Sequence, residues 1–266
     1  MAWFKRSSRF TILTAALMLG LSLNVVAQPQ PRSTPVSLSN RLENAFKPPS
    51  GIGRPDNRQQ GATRGPCMTK ASKPLLALVP VDGTGETMAE NPTIFWYMPE
   101  ISTDGAPAPA VEFVLKDAKD QEIYTAEYAL TTSAQGVVGA PGVMSLTVSN
   151  LYPMETGREY NWELTLMCNS KDSDRSEDLT VAGVFKRVVP DPDLALRLQQ
   201  ASPQERVGLY ADKKLWYETV AALVELRRDR PYDSNVTAAW RTLLSSVGLE
   251  VIAQEPVVQS ARNIRN

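Results

Sequence analysis

Two cysteines, Cys67 and Cys168, and a handful of strand-borne glutamates are the side chains of this 266-residue sequence with most scope for chemistry. There is no histidine. That removes Ser-His-Asp and Cys-His nucleophile activation, the usual zinc and copper ligand sets, and the commonest general base near neutral pH. The cysteines do not form a C-x-x-C motif, so thiol redox catalysis is not indicated. In an oxidising compartment they are expected to pair, closing a loop of about 100 residues that the chain-entropy model values at roughly 4 to 5 kcal/mol, less any strain. The alternative is two separate buried thiols. One catalytic reading survives, a carboxylate-pair hydrolase, since Glu112, Glu122, Glu127 and Glu163 lie on or beside candidate strands. Strand alternation puts several of them on a solvent face, where acidic residues need no catalytic role. The expectation is no catalytic residue, no metal and no cofactor.

Three further stretches are weaker. NSKDSDRSED (169 to 178) spaces Asp172 and Asp174 like a calcium loop but lacks the glycine and the distal glutamate, and reads as a solvated turn. GTGE (83 to 86) is too short for a phosphate loop and opens no clear helix. Asn235-Val236-Thr237 matches a glycosylation acceptor but sits at a helix start, where such residues cap.

Residues 1–27 read as a signal peptide. MAWFKRSSR supplies three positive charges, FTILTAALMLGLSLNVV an apolar run, and Val25-Val26-Ala27 a small-residue cleavage site. The run is close to the length of a bilayer-spanning helix, so an uncleaved anchor is the alternative. After cleavage no stable membrane span is expected. The exported chain is expected to be periplasmic or secreted.

Residues 28–66 are rich in Pro and Gly and poor in large apolar side chains, the composition of a disordered linker. Between Arg41 and Lys73 there are seven basic residues against two acidic ones, whereas from Pro74 onward acidic residues outnumber basic ones by 27 to 17. The basic arm is therefore expected to lie on its own acidic body or on an external polyanion. Arg54, Arg58 and Arg64 are its candidate partner-binding residues, because guanidinium forks bind carboxylates and phosphates well.

Short apolar runs follow, at 75 to 79, 93 to 98, 110 to 117, 122 to 130, 143 to 149, 159 to 168 and 179 to 188, separated by turn residues. Seven strands at that spacing predict an antiparallel β-sandwich over 67–189. In the sixth run Tyr160, Trp162, Leu164, Leu166 and Cys168 alternate with Asn161, Glu163 and Thr165, so the first set should be core. Ahead of it LYPMETGREY resembles the corner of immunoglobulin and fibronectin type III domains. That likeness casts Tyr160 as a tyrosine corner, its hydroxyl bonded to backbone in the 151 to 157 turn. TIFWYM (93 to 98) is apolar on both faces, so both faces should be covered.

After Pro190 the period becomes helical, predicting a three-helix appendage over 190–250 and a C-terminal tail over 251–266. Ser202-Pro203-Gln204-Glu205 is a capping box, LWYETVAALVELRR (215 to 228) carries a Trp216, Val220, Leu223, Val224 stripe, and a third helix follows Asp233 and ends at Gly248-Leu249. The last two helices pair as a hairpin, and Trp216 and Trp240 are expected to pack on the second strand as core rather than as a ligand platform. The fold class is thus α+β, an immunoglobulin/fibronectin-III-like sandwich with a helical hairpin packed on it.

The ordered motifs GRPDNRQQGATRGPC, KPLLALVP, ENPTIFWYMP, AVEFVLKD with EIYTAEYAL, LYPMETGREYNWELTLMC, VAGVFKRV, PDLALRLQQASPQERVGLYADKKLWYETVAALVELRRDRP and WRTLLSSVGLEVIAQEP resemble the cyanobacterial family catalogued as domain of unknown function 928. TTSAQGVVGAPG (131 to 142) is longer and more polar than that family's pattern. The resemblance implies an exported protein and carries no activity or cofactor. The expectation is a non-catalytic interaction or scaffold module of the cell envelope, with another envelope protein or an acidic polymer as partner and no nucleic acid. The alternative is a glycan- or small-ligand-binding sandwich using aromatics such as Trp96 or Tyr128 as platforms.

Overall fold

The computed structural model describes residues 37–47, 73–101, 110–129, 141–148, 152–168, 175–176, 178–258 and 262–263. Residues 1–27, read above as a signal peptide, and Arg54, Arg58, Arg64, Cys67, Asp172 and Asp174 lie outside them.

The seven apolar runs are strands β1 (Leu76–Ala77), β3 (Thr93–Met98), β4 (Ala110–Lys116), β5 (Glu122–Ala129), β6 (Gly142–Thr147), β7 (Glu159–Met167) and β8 (Leu179–Arg187). Two more join them, β2 (Thr84–Thr87) and β9 (Arg262–Asn263). They form two sheets, ordered β1-β3-β6 and β2-β8-β7-β4-β5-β9. Pairing is antiparallel except that β2 runs parallel to β8. GTGE is therefore part of an edge strand and its turn, with Gly83 at φ 79°.

Alternation along β7 holds: Tyr160, Trp162, Leu164, Leu166 and Cys168 are buried while Asn161 and Glu163 are half-buried. Thr165 and Met167 depart from it, both buried on the other face, where the Thr165 hydroxyl meets that of Thr180 at 2.9 Å. In β3, Ile94 through Met98 are all buried, so both faces of that strand are covered.

Four helices follow the strands where three were expected: α2 (Pro192–Gln200), α3 (Pro203–Asp212), α4 (Trp216–Asp229) and α5 (Ser234–Ser246). The additional helix, α2, starts on Asp191, whose carboxylate accepts the N–H groups of Asp193 and Leu194 at 3.0 and 3.2 Å, with Pro192 in the first turn. The Ser202/Glu205 box closes reciprocally on α3. Asp233 caps α5, accepting from Asn235 at 2.8 Å, so Asn235 is an exposed first-turn residue and not the cap. At the other end of α5, Leu249 N–H reaches Leu244 O and Gly248 N–H reaches Ser245 O, with Gly248 at φ 72°, the paired bonds of a Schellman stop. The principal helix neighbour of α4 is α3, and that of α5 is a helix from the other end of the chain, so the expected hairpin is not the packing unit.

That other helix, α1 (Leu38–Phe46), lies within the stretch expected to be a disordered linker. Averaged over 28–66 the composition is polar, but Leu38, Leu42 and Phe46 recur every fourth residue and make one apolar stripe. Leu42 is fully buried, Phe46 meets the Trp216 ring edge-on at 5.0 Å, and Arg41 forks onto Asp212 at 2.9 and 2.5 Å. Lys73, at the other end of the basic stretch, pairs with Glu255. Both described ends of that stretch therefore rest on acidic residues of the body.

Three strands cannot cover the inner face of six. α4 supplies the remainder, with Tyr217 placed 4.6 Å from the Phe185 ring on β8 and Trp216 donating its indole N–H to Leu78 O at 2.9 Å. Trp216 and Trp240 are both fully buried. Of the expected tail, 256–258 run parallel to β6, with Val143 N–H donating to Pro256 O at 2.8 Å and Val258 N–H to Val143 O at 2.9 Å. β9 then pairs with the end of β5. Gly142 permits this approach, since a Cβ there would lie 2.6 Å from Pro256 O.

Candidate functional site

A groove of about 250 Å³ opens between the end of α1 (45–47), the turn before β2 (80–82), the outer edge of β2, and Lys214 with Trp216. Its floor is apolar, from Phe46 and Trp216, and its rim carries Lys47, Lys214, Asp82 and Glu86. Local sequence fixes each wall. Gly83 N–H closes a turn onto Pro80 O at 3.0 Å, and Asp82 accepts Thr84 N–H at 3.0 Å, which aims the chain into β2. Gly85 is required by the close approach of α4, because a Cβ would sit 2.5 Å from the Tyr217 ring. Lys214 ends the α3–α4 turn at φ 57°, a left-handed conformation that points the chain back into α4.

The edge of β2 is the groove's chemically distinctive wall. Val184 N–H donates to Gly83 O at 2.9 Å and Val188 N–H to Thr87 O at 2.8 Å. With Glu86 in register with Lys186, residues 83, 85 and 87 direct their backbone groups at β8. The N–H of Glu86 and the carbonyls of Thr84 and Glu86 therefore face away from the sheet, on the groove side. One residue on, the edge is shut: Glu218 on α4 accepts Met88 N–H at 2.8 Å, Ala89 N–H at 3.1 Å and the Thr87 hydroxyl at 2.7 Å. What remains is a short pairing slot beside the half-buried Phe46 ring.

Of the four glutamates of the hydrolase reading, the fold brings two face to face and gives three of them polar partners. Glu112 stands opposite Glu127 across β4 and β5, but Glu112 takes both arms of the Arg175 guanidinium at 3.1 and 2.9 Å. Arg175 also binds Asp178 at 2.7 Å, and these carboxylates push its pKa upward. Glu163 binds Lys116 at 2.8 Å, raising the lysine, and Glu122 accepts the Thr125 hydroxyl. Among the described residues no three metal-ligating side chains converge, and no helix is long and apolar enough to cross a membrane.

Trp96 is fully buried and Tyr128 only 4 % exposed, so neither is the exposed platform that the glycan reading named. Trp96 belongs to the strand covered on both faces, and Tyr128 lies in register with Val111, a buried core residue. The aromatic pair with an accessible member is Tyr124 and Tyr152, ring centroids 5.7 Å apart. Tyr160 donates nothing to the groove; its hydroxyl accepts Glu155 N–H at 2.8 Å. Cys168 is buried and is not a free thiol, and its backbone N–H donates to the Asp178 carboxylate at 3.1 Å. The groove itself was missed by sequence reasoning: α1 was hidden in polar composition, and TGET has no alternating apolar pattern.

No curated protein matches the sequence. The family model for Domain of Unknown Function (DUF928) matches residues 59–257, taking in every element from β1 to the segment on β6 and leaving α1 outside, and the chain belongs to that family.

Proposed function

We propose that this protein is a non-catalytic interaction module of the cell envelope, exported by its N-terminal segment, whose groove captures an extended segment of a protein partner. The observation that carries the reading is the outward-facing backbone of Glu86 and Thr84 beside Phe46 and Trp216. Strand addition at an open edge supplies affinity through main-chain bonds and specificity through adjoining pockets. The strand order and the Tyr160–Glu155 bond support an immunoglobulin-like scaffold, a rigid frame suited to presenting such an edge. The basic arm, with Arg54, Arg58 and Arg64, adds electrostatic reach toward an acidic partner surface. A Cys67–Cys168 disulfide fastens that arm to β7, and non-reducing peptide mapping of exported protein should recover the two cysteines in one linked fragment.

The test uses a photocrosslinking residue at Lys47, with the same residue at the exposed Tyr232 as comparison. The expected result is one protein adduct from position 47 in whole envelopes, absent from position 232 and lost in the Glu86→Pro variant. Proline there removes the outward N–H together with the carboxylate that pairs with Lys186 at 3.1 Å, and leaves the backbone bonds to β8, so Glu86→Ala, which loses the carboxylate alone, should keep the adduct. An adduct that persists in Glu86→Pro overturns strand capture. Polysaccharide binding abolished by Tyr152→Ala would favour the glycan reading instead.

A further inference from the structure

The seat of α1 is a recognition surface in its own right. α1 carries its own cap, Ser37 accepting Asn40 N–H at 3.2 Å, and the family model that takes in α3, α4 and α5 leaves it outside. It lies on them as an amphipathic helix lies in a groove, with Leu38, Leu42 and Phe46 along one stripe. Leu42 is fully buried and Phe46 meets Trp216 edge-on. The polar anchor is cut to shape. Gly208 stands buried inside α3, where glycine is less favourable than alanine and so needs a packing reason. That reason is Arg41: a Cβ at 208 would run into its Nη1 and Cζ atoms, so the missing side chain is the slot that the guanidinium occupies. Asp212, one turn further along the same face of α3, accepts from both Nε and Nη2 of that guanidinium. Gly208 and Asp212 together read an arginine at one position of a docked helix.

We propose that this seat is shared between molecules: α1 of a second copy docks on α3, α4 and α5 of the first, and reciprocally, giving an exchanged dimer in which each groove receives residues 45–47 of the other chain. Two observations select a second copy as the occupant. The seat matches α1 anchor by anchor, with Leu42 and Phe46 in its apolar part and Arg41 in its slot, and another copy brings all three by identity. Residues 48–72 lie between α1 and Lys73, a length of chain that reaches about 80 Å at full extension, against roughly 40 Å for the width of a domain of this size. Exchange repeats every contact of the closed chain and satisfies both seats at once. The tether favours a chain's own seat in dilute solution, so the exchanged dimer belongs to copies held close together.

The test divides the charges of the fork between two full-length chains. Arg41→Glu sets a carboxylate against Asp212, and Asp212→Arg sets a guanidinium against Arg41, so neither variant closes its fork within one chain. Mixed, they form the native pair in one seat and the reversed pair in the other. The expected result by sedimentation is a heterodimer at least about tenfold tighter than either variant's association with itself, while a chain bearing both substitutions stays monomeric in dilute solution. Adding Gly208→Ala to the Arg41→Glu chain fills the slot in a residue type that suits a helix, and should abolish the gain. A labelled peptide of residues 36–47 should bind the Arg41→Glu chain about tenfold better than the wild type, whose seat is taken. The proposal is overturned if the mixture stays monomeric, if Gly208→Ala leaves the heterodimer intact, or if the peptide binds both chains alike. Unfolding of either variant, read by circular dichroism, overturns it as well, because a seat that does not outlast its occupant cannot receive another. Strand capture at β2 stands or falls separately, since its groove is complete whichever copy supplies 45–47.

Discussion

The indole N–H of Trp162 donates to the Tyr217 hydroxyl at 3.1 Å, and that hydroxyl donates in turn to Val184 O at 3.1 Å. One side chain of α4 thus satisfies a buried tryptophan on β7 and a carbonyl on β8. Burial raises the Tyr217 pKa, so it stays a donor at any physiological pH. Tyr217→Phe keeps the ring packing against Phe185 but orphans the Trp162 N–H. The expected cost is about 1–3 kcal/mol, read as a lowered urea midpoint at unchanged slope. Tyr232→Phe, at a fully exposed position, should leave the midpoint where it is.

Gly183 lies beneath the same tryptophan. A Cβ at 183 would come 2.6 Å from Trp162 Cζ2 and 2.8 Å from Val79 Cγ1, both in packed core. Gly183→Ala should therefore destabilise by about 1–3 kcal/mol despite the better strand propensity of alanine. Denaturant titration measures the loss, and a blue- or red-shift of tryptophan fluorescence should accompany it as Trp162 is displaced.

Acid stability follows from three carboxylates, Glu205 exposed and Asp117 and Asp191 half-buried. Asp191 is held below its ordinary pKa of 3.8 by the Lys213 ammonium and by α2 backbone N–H groups, Asp117 by the N–H groups of Gln121 and Lys119, and Glu205 below 4.5 by Ser202. Groups with depressed folded values stabilise fully above the unfolded value and lose that contribution as pH falls through the folded one. With no histidine in the chain, the urea midpoint should stay flat from pH 8 to about pH 5 and fall below about pH 4.5. Glu205→Gln should lower the neutral midpoint and reduce the acid slope.

The seven strands were legible because each carries a period of its own: β7 alternates and β3 is apolar throughout. α3 and α5 announced themselves by Ser202, Asp233 and Gly248, residues whose capping bonds are local. β2 and β9 were not legible, since Thr84 and Arg262 belong to short segments whose pairing is chosen by distant strands. α1 was lost because Leu42 and Phe46 have no meaning until α3, α4 and α5 are in place to receive them. For the same reason the groove could not be read: 45–47, 80–86 and 214–216 are far apart in sequence and meet only in the fold. Trp96 and Tyr128 were misjudged as exposed because alternation says which residues share a face, not what covers it.

Residues 256–258 are laid on β6 and residues 262–263 on β5, one strand from each sheet. Because they come after every strand they touch, a nascent chain that has emerged only as far as residue 255 has all its layers and still lacks the lace that ties them. The pairing of this C-terminal stretch on both sheets is thereby deferred until synthesis has passed the helices.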